Sequence, residues 1–562
     1  MKHSIKKLKL LVGTLITAVL FSLLTGCMDL TEQPISGITA DEHFRSLKGL
    51  EDALTGAYFQ LRYYWGGLGP SEMNGGDYMG NLGADLYRDA RTSMYQYNTY
   101  SPGLNSSSPI ITHIWTQLYK GINNANTVIS RAENIDISGD LRQIRVAEAR
   151  FLRAHYYYLL VVHYGDVHLT LDETIGVETE AFRVPEKEIW QVIIDDLEFA
   201  EQHLPVVQTD WGRVTRNAAR HHLALVHLWQ KNWNNAADYA IAVIESGHNR
   251  LLNNFADVFH IDNQQNEEII WSVQYTTDLT ANRPGNWQHL AHTLRYDNFP
   301  GMHRNLIDGR GWSRLMPTDY LMTEIFGNDY RPDGAHGNRI NIKNDSRYYA
   351  SFREVYQYTN QATIPYEGVF VGDTSAYVTT DPYVQEWTDE QIAEKTYRVL
   401  RVNDWVTQWY PSGEKFRDPA RDHFNDSHGT RDVFVMRLAE TYLLAAEALL
   451  MAGRLEEAVE YFNEVRKRAE APDETIPLIT IAEIDIDEIL DERARELAGE
   501  CHRWPTLKRT GKLLERVRAY NTRRGDTPTT ASENIREYHL LRPIPQIQID
   551  RSTNEYPQNP GY

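Results

Sequence analysis

The chain has 562 residues, 77 acidic against 57 basic, and a formal net charge of −20. A field of that sign repels nucleic acid and anionic lipid, and no Lys/Arg cluster offsets it, so nucleic-acid binding is excluded. With only Cys27 and Cys501 present, stability must come from a large core rather than a disulfide framework.

The chain opens with Lys2, Lys6, Lys7 and Lys9, followed by an apolar run from Leu8 that ends at Leu24-Thr25-Gly26-Cys27. A basic start, a short apolar stretch and a small residue before the cut read as a secretory signal over 1–26. A cysteine directly after Leu-Thr-Gly is the lipobox of bacterial lipoprotein processing. The run is short for a membrane span of about 20 residues, which argues against a signal-anchor helix. Each acyl chain on Cys27 adds about 0.8 kcal/mol per buried methylene, enough in combination to hold a domain on a membrane. The mature protein is therefore expected to begin at an acylated Cys27, outside the cytoplasm. Cleavage removes four lysines and no acid, which takes the charge to about −24. Residues 27–40, with Asp29, Glu32 and Pro34, read as a polar tether.

Ser46 to Arg62 has helical periodicity, with apolar residues at 47, 50, 54, 57, 58 and 61. From Tyr63 to Pro109 the periodicity is lost among seven glycines between Gly66 and Gly83, and a loop of that length is uncommon unless functional. Apolar stripes return from Ile111 to Ala132, Leu141 to Val162 and Glu186 to His203, the last stopped by Pro205. Two helical hairpins follow: Asn217–Lys231 with Trp233–Glu245, and Val435–Met451 with Leu455–Ala469. Ala224/Ala236 and Ala446/Ala458 share the twelve-residue spacing of small residues typical of tetratricopeptide repeats. Between 269 and 432 the helical pattern mostly fails; Glu268–Gln274 reads as a strand and Thr318–Phe326 as a helix. The expected fold is mainly α: a tetratricopeptide-like scaffold, 41–268 and 433–562, with a loop-rich ligand-binding subdomain at 269–432 inserted in it. Residues 540–562 form a Pro-rich tail.

Several stretches, in order, carry a family resemblance: Glu148-Ala-Arg-Phe-Leu-Arg-Ala-His-Tyr-Tyr-Tyr-Leu159 with Tyr164-Gly-Asp-Val-His168, then Pro317-Thr-Asp-Tyr-Leu321 with Phe326 and Asp329-Tyr-Arg331. Arg437-Leu-Ala-Glu-Thr-Tyr-Leu443, Glu492-Arg-Ala-Arg-Glu-Leu497 with Arg503-Trp504, and Leu541-Arg-Pro-Ile-Pro545 through Gln558-Asn-Pro-Gly-Tyr562 complete the set. In these the chain resembles the SusD/RagB family of outer-membrane nutrient-binding lipoproteins; His168, where the family usually has Pro, is a small departure. The resemblance implies a surface-exposed lipoprotein of the outer membrane that caps a TonB-dependent transporter, with a glycan or peptide as cargo. Most matched motifs lie on helices. Arg150, Arg153, Arg437, Glu440, Glu447, Arg493 and Glu496 are expected to form buried ion pairs or caps rather than to touch ligand.

Catalytic signatures are missing: no H-E-x-x-H, G-x-S-x-G or P-loop occurs, and Gly66-Gly-Leu-Gly69 lacks the third glycine of a dinucleotide loop. Asp485-Ile-Asp487 lacks the turn glycine of an EF-hand. No enzyme, metal or cofactor is expected. Binding has the better case, because sugar rings offer apolar C–H faces with a hydroxyl rim, which Trp and Tyr faces and Asn, Asp, Gln and Arg side chains complement. That mixture occurs from Tyr63-Tyr-Trp65 through Asp77, Tyr78, Asn81, Asp85, Arg88, Tyr95 and Tyr97, and from Asn286-Trp-Gln288 through Tyr296, Arg310 and Trp312. Trp65, Trp287, Tyr296 and Trp312 are the expected ligand platforms, with Tyr95, Trp405 and Trp409 behind them, while Trp115, Trp229 and Trp233 lie on helix stripes and are assigned to the core. A glycan-binding lipoprotein is the leading reading; a peptide or glycopeptide receptor on the same scaffold is the alternative, and a glycoside hydrolase comes third.

Overall fold

The computed structural model describes residues 40–562 except 67–74, 91–95, 279, 327–329, 333–340, 344, 471–475 and 523–530. The signal segment, Cys27 and Tyr95 lie outside the described residues.

Six long helices form the first half. α1, Leu47–Gln60, starts at Ser46, whose hydroxyl accepts from Gly49 N, and buries Leu50, Ala53, Leu54 and Ala57. α2, Pro109–Arg131, opens on a proline at a position where the missing N–H costs nothing. α3, Gly139–Tyr164, is capped by Ser138 and ends at Gly165, whose φ of +74° suits glycine. It packs on both α2 and α4, Glu186–His203, and every residue from Phe151 to Tyr164 is buried. α5, Arg216–Trp229, and α6, Trp233–Ile244, make the first expected hairpin. Between α1 and α2, β1, Tyr87–Asp89, pairs antiparallel with Leu315–Pro317.

The second hairpin starts later than its periodicity indicated. β2, Ile269–Val273, pairs antiparallel with Val433–Arg437, so Val435 to Arg437 are strand rather than the start of the helix. The backbone of β2 is buried and needs a partner, and a Val-Phe-Val run supplies one suited to a sheet. α7, Leu438–Met451, and α8, Leu455–Arg468, then turn through Gly453 at φ +78°. α7 packs against α5 and α6 as well as α8. Ala224, Ala236, Ala446 and Ala458 are at most 1% exposed, so the small residues lie where helices meet. Across that stack His221 Nδ1 and Thr441 Oγ1, 220 positions apart, meet at 2.8 Å. The architecture is a tetratricopeptide-like scaffold. The long helices stop at Ile244 and resume at Leu438; short strands and single helical turns lie between.

A buried ion network joins the two parts. Arg437, 1% exposed, bonds Glu268 at 2.7 Å, Glu496 at 2.9 Å and Glu500 at 2.7 Å. Arg347 and Arg466 bond Glu492 at 2.7 and 3.0 Å. Burial pushes the Glu492 carboxyl up, but Arg347, Arg495 and Arg466 outweigh it and hold the group at about 2. The remaining motif residues behave alike: Arg153 bonds Asp196 at 2.8 Å, Arg493 bonds Glu440 at 2.6 Å, and Arg509 bonds Glu447. Arg150 reaches Asp196 at 3.8 Å and covers the Phe199 ring. In the tail, Asn559 Nδ2 donates to the carbonyls of Tyr164 and Arg542, which fastens the C-terminus to the end of α3.

Candidate functional site

The two aromatic-rich stretches have different fates. In the first, the polar side chains point inward. Asp85 is fully buried and bonds Arg503 at 2.7 Å, Asn81 donates to the Gly499 carbonyl at 3.0 Å, and the Tyr97 hydroxyl accepts from Ile110 N. Trp65 is 4% exposed, donates to His155 and packs edge-on against Tyr64. Its ring is packed largely against protein, which favours an anchoring role over the expected platform. These residues anchor their own loop.

The second stretch is partly at the surface. Trp287 and Trp312 meet edge to face, 4.9 Å between ring centroids and 65° between planes. Trp287 is 6% exposed; its backbone N–H donates to the Gly66 carbonyl, and its indole N–H has no hydrogen-bond partner among the described residues. Trp312 is half-buried, and the Arg310 guanidinium lies 5.2 Å from its ring centroid. Its position is set by Gly311, where a Cβ would fall 1.9 Å from the Leu294 carbonyl oxygen; only glycine lets the chain pass there. Arg310 donates to the Asn425 carbonyl, and His428 faces the Trp287 ring at 6.1 Å. Tyr296 does not join this group. It is fully buried, donates its hydroxyl to the Gly309 carbonyl and stacks on Tyr356, so its expected platform role also gives way to anchoring. Trp405, 3% exposed and bonded to the Leu400 carbonyl, is structural as well.

A cleft of about 710 Å³ opens on the same loop-rich segment. Two strands of a three-stranded sheet contribute to its lining. β3, Val355–Gln357, runs antiparallel to β4, Thr374–Val378, which pairs in parallel with β5, Arg398–Leu400. Along β5, Val399 and Leu400 are buried while Arg398 is exposed on the cleft. Tyr366 at the rim is 39% exposed, and Tyr397 and Trp409 are half-buried. Trp409 is held by a tight turn in which it and Val406 exchange backbone hydrogen bonds at 3.0 and 3.1 Å. Phe299 lies 5.5 Å from its ring centroid, and the Arg398 guanidinium carbon lies 4.0 Å from it. Burial draws the Arg398 pKa below its ordinary value, while Asp404 pulls the other way. Arg401 binds Asp404 at 2.8 Å and Asp389 at 3.0 Å. Of these residues only Trp409 was singled out from the sequence. Tyr397-Arg398 beside Arg401, in a segment without helical periodicity, was the available signal.

Trp115 is core, as its stripe implied, and Trp229 and Trp233 are half-buried against it or against the neighbouring hairpin core. Among the described residues no group of three or more His, Cys, Asp or Glu is placed to hold a metal ion. No helix among them is long and apolar enough to cross a membrane.

A model of the SusD family matches residues 267–562, and one described as starch-binding associating with outer membrane matches residues 61–228. The chain belongs to the SusD family. It is 28% identical over 543 residues to the SusD-like protein P25 of Formosa agariphila, covering 93% of each chain. It is 26% identical over 496 residues to the starch-binding protein SusD of Bacteroides thetaiotaomicron, covering 83% of this chain and 82% of that one. Among solved structures, a laminarin-binding SusD-like protein aligns with a TM-score of 0.66 at 22% identity, over 92% of this chain and 100% of that one, a likeness of fold.

Proposed function

We propose that this protein is a cell-surface glycan-binding lipoprotein that captures oligo- or polysaccharide and passes it to a TonB-dependent outer-membrane transporter. The observation that carries the reading is the half-buried Trp312, set against Trp287 and beside Arg310, on the loop-rich part of a SusD-family scaffold. A flat indole with hydrogen-bonding neighbours suits the apolar face and hydroxyl rim of a sugar. Starch and laminarin are what the names of two relatives state for those proteins. The site works by binding, not turnover.

The anchor belongs to the same proposal. Leu24-Thr25-Gly26-Cys27 supports acylation at Cys27 and display on the outer membrane. A receptor tethered above its transporter raises local cargo concentration by proximity, so micromolar affinity, about −8 kcal/mol, is sufficient. The deciding experiment is a glycan-array screen followed by calorimetry on the purified protein. Saturable binding without release of reducing ends is expected; consumption of the glycan, or no binding by any glycan, overturns the reading. Mass spectrometry should find a mature N-terminus at Cys27, and detergent pull-down should recover a large β-barrel transporter.

A further inference from the structure

We infer that the cleft between Tyr366, Tyr397 and Trp409 is a second saccharide subsite, selective for sugars that carry an anionic group, with Arg398 as its reader. The inference rests on the glycan-binding reading and adds a substrate class to it.

Three observations lead there. The first is size: about 710 Å³ lies within the range of roughly 300–1,000 Å³ usual for small-ligand clefts. The second is charge. Lys395, Arg398 and Arg401 line the cleft against Asp389 and Asp404, a local excess of positive charge on a chain of net −20. Both carboxylates hydrogen-bond Arg401, which leaves Lys395 over the Trp387 ring at 4.4 Å and Arg398 over Trp409 at 4.0 Å. Neither cation has a carboxylate within ion-pair distance among the described residues.

The third is orientation. A guanidinium seated on an indole is fixed in place while its N–H fork stays available, the geometry that takes a carboxylate or sulfate in bidentate fashion. Exposed Tyr366 and half-buried Tyr397 flank it with ring surface for the apolar side of the sugar. Arg401 already engages Asp389 and Asp404, so the free cationic donors of the cleft are those of Lys395 and Arg398, which suit an anionic group. The carboxylate of a uronic acid and the sulfate of a sulfated sugar share the recognised chemistry.

The test is calorimetry on the full protein with four probes: oligogalacturonate, its methyl ester, a sulfated galactan oligosaccharide and its desulfated form. A broad array of neutral glycans runs beside them. At least one acidic probe should bind at least tenfold more tightly than its neutral partner. That affinity should fall at least tenfold between 50 and 500 mM NaCl, since the contact is screened. Arg398→Gln should reproduce a loss of at least tenfold at unchanged melting temperature, while Trp312→Ala should leave the acidic preference intact. The ester and desulfated arms decide the question even if Arg398→Gln folds poorly. Which acidic probe binds separates the carboxylate from the sulfate source. Binding confined to neutral glycans, or acidic binding indifferent to Arg398→Gln, overturns this inference and leaves the glycan reading standing. Silence across every class overturns both.

Discussion

The indole N–H of Trp65 donates to Nε2 of His155 at 3.1 Å, which pins the loop after α1 to the middle of α3. Both residues are buried, and His502 tilts against the same indole at 5.7 Å. Trp65 therefore belongs to stability. Trp65→Ala should cost ~3–5 kcal/mol, as truncation of a large core aromatic does. Trp65→Phe should cost ~1–3 kcal/mol by stranding the buried His155 acceptor. Urea denaturation checks both. A Trp65→Ala protein that melts normally but no longer binds glycan would put this ring back in the ligand site.

Trp312 should behave in the opposite way. Its ring is half-buried, and no helix stripe loses a member when it is removed. Trp312→Ala is expected to weaken binding of the best glycan by about 2 kcal/mol, near 30-fold, as aromatic hot spots do. Its stability cost should stay near 1–2 kcal/mol, because little apolar area is lost from the interior. Calorimetry and thermal melting of the one variant separate the effects. If melting falls while affinity holds, the pair with Trp287 is a packing device.

How far the fold was legible follows from where each signal resides. Ala224 and Ala236 could be placed from sequence because helical periodicity is local and a small residue at a fixed offset marks close approach. The ion-pair assignment of Arg437 and Glu496 was legible because both lie in family-matched segments expected to maintain the fold, where a buried charge must be paired. Trp65 and Trp312 lie in equally irregular stretches and differ only in their neighbours. The partner of Trp65 is 90 positions away and that of Tyr275, which donates to the Trp65 carbonyl, 210. Composition cannot report such contacts. For the same reason Val435–Arg437 read as the start of a helix: the strand partner, β2, is remote in sequence. Arg398 was missed because its role depends on Trp409 across a turn rather than on any motif.

Arg437 is the centre of the buried network, and removing it leaves Glu268, Glu496 and Glu500 short of a counter-charge. Arg437→Met should destabilise by ~3–5 kcal/mol, the cost of breaking a buried pair from one side. Combining it with Glu500→Gln should recover part of that loss, because one stranded carboxylate is gone. A double-mutant cycle in urea measures the coupling. Additive costs would mean that Arg437 and Glu500 do not act as a pair.

Acid should unfold the protein through its buried histidines. Burial, then the His502 charge, pushes His155 down to about 3; burial and Lys415 do the same to His292. Burial, then Arg542 and Arg536, brings His539 to about 4, and burial lowers His163 and His222 in the same direction. Folded, these rings stay neutral; unfolded, they take up protons near 6.5. Between those values the unfolded chain binds more protons, so their contribution is complete above about pH 6.5 and lost as pH falls toward 3–4. Asp432 opposes this, because burial raises it to about 6 and its contribution is lost as pH rises through that value. Burial raises Glu148, Asp196 and Glu414 as well, so four carboxyls stand against these five lowered imidazoles and that of His289, and the histidines are expected to dominate from pH 6 to 4.5. Each unmatched proton steepens the loss by ~1.4 kcal/mol per pH unit. Urea melts at half-unit steps from pH 8 to 4.5 should give a stability that falls steadily below 6.5. His155→Gln should flatten that slope by about one proton, and a profile that stays level to pH 4.5 would show that these rings protonate without penalty.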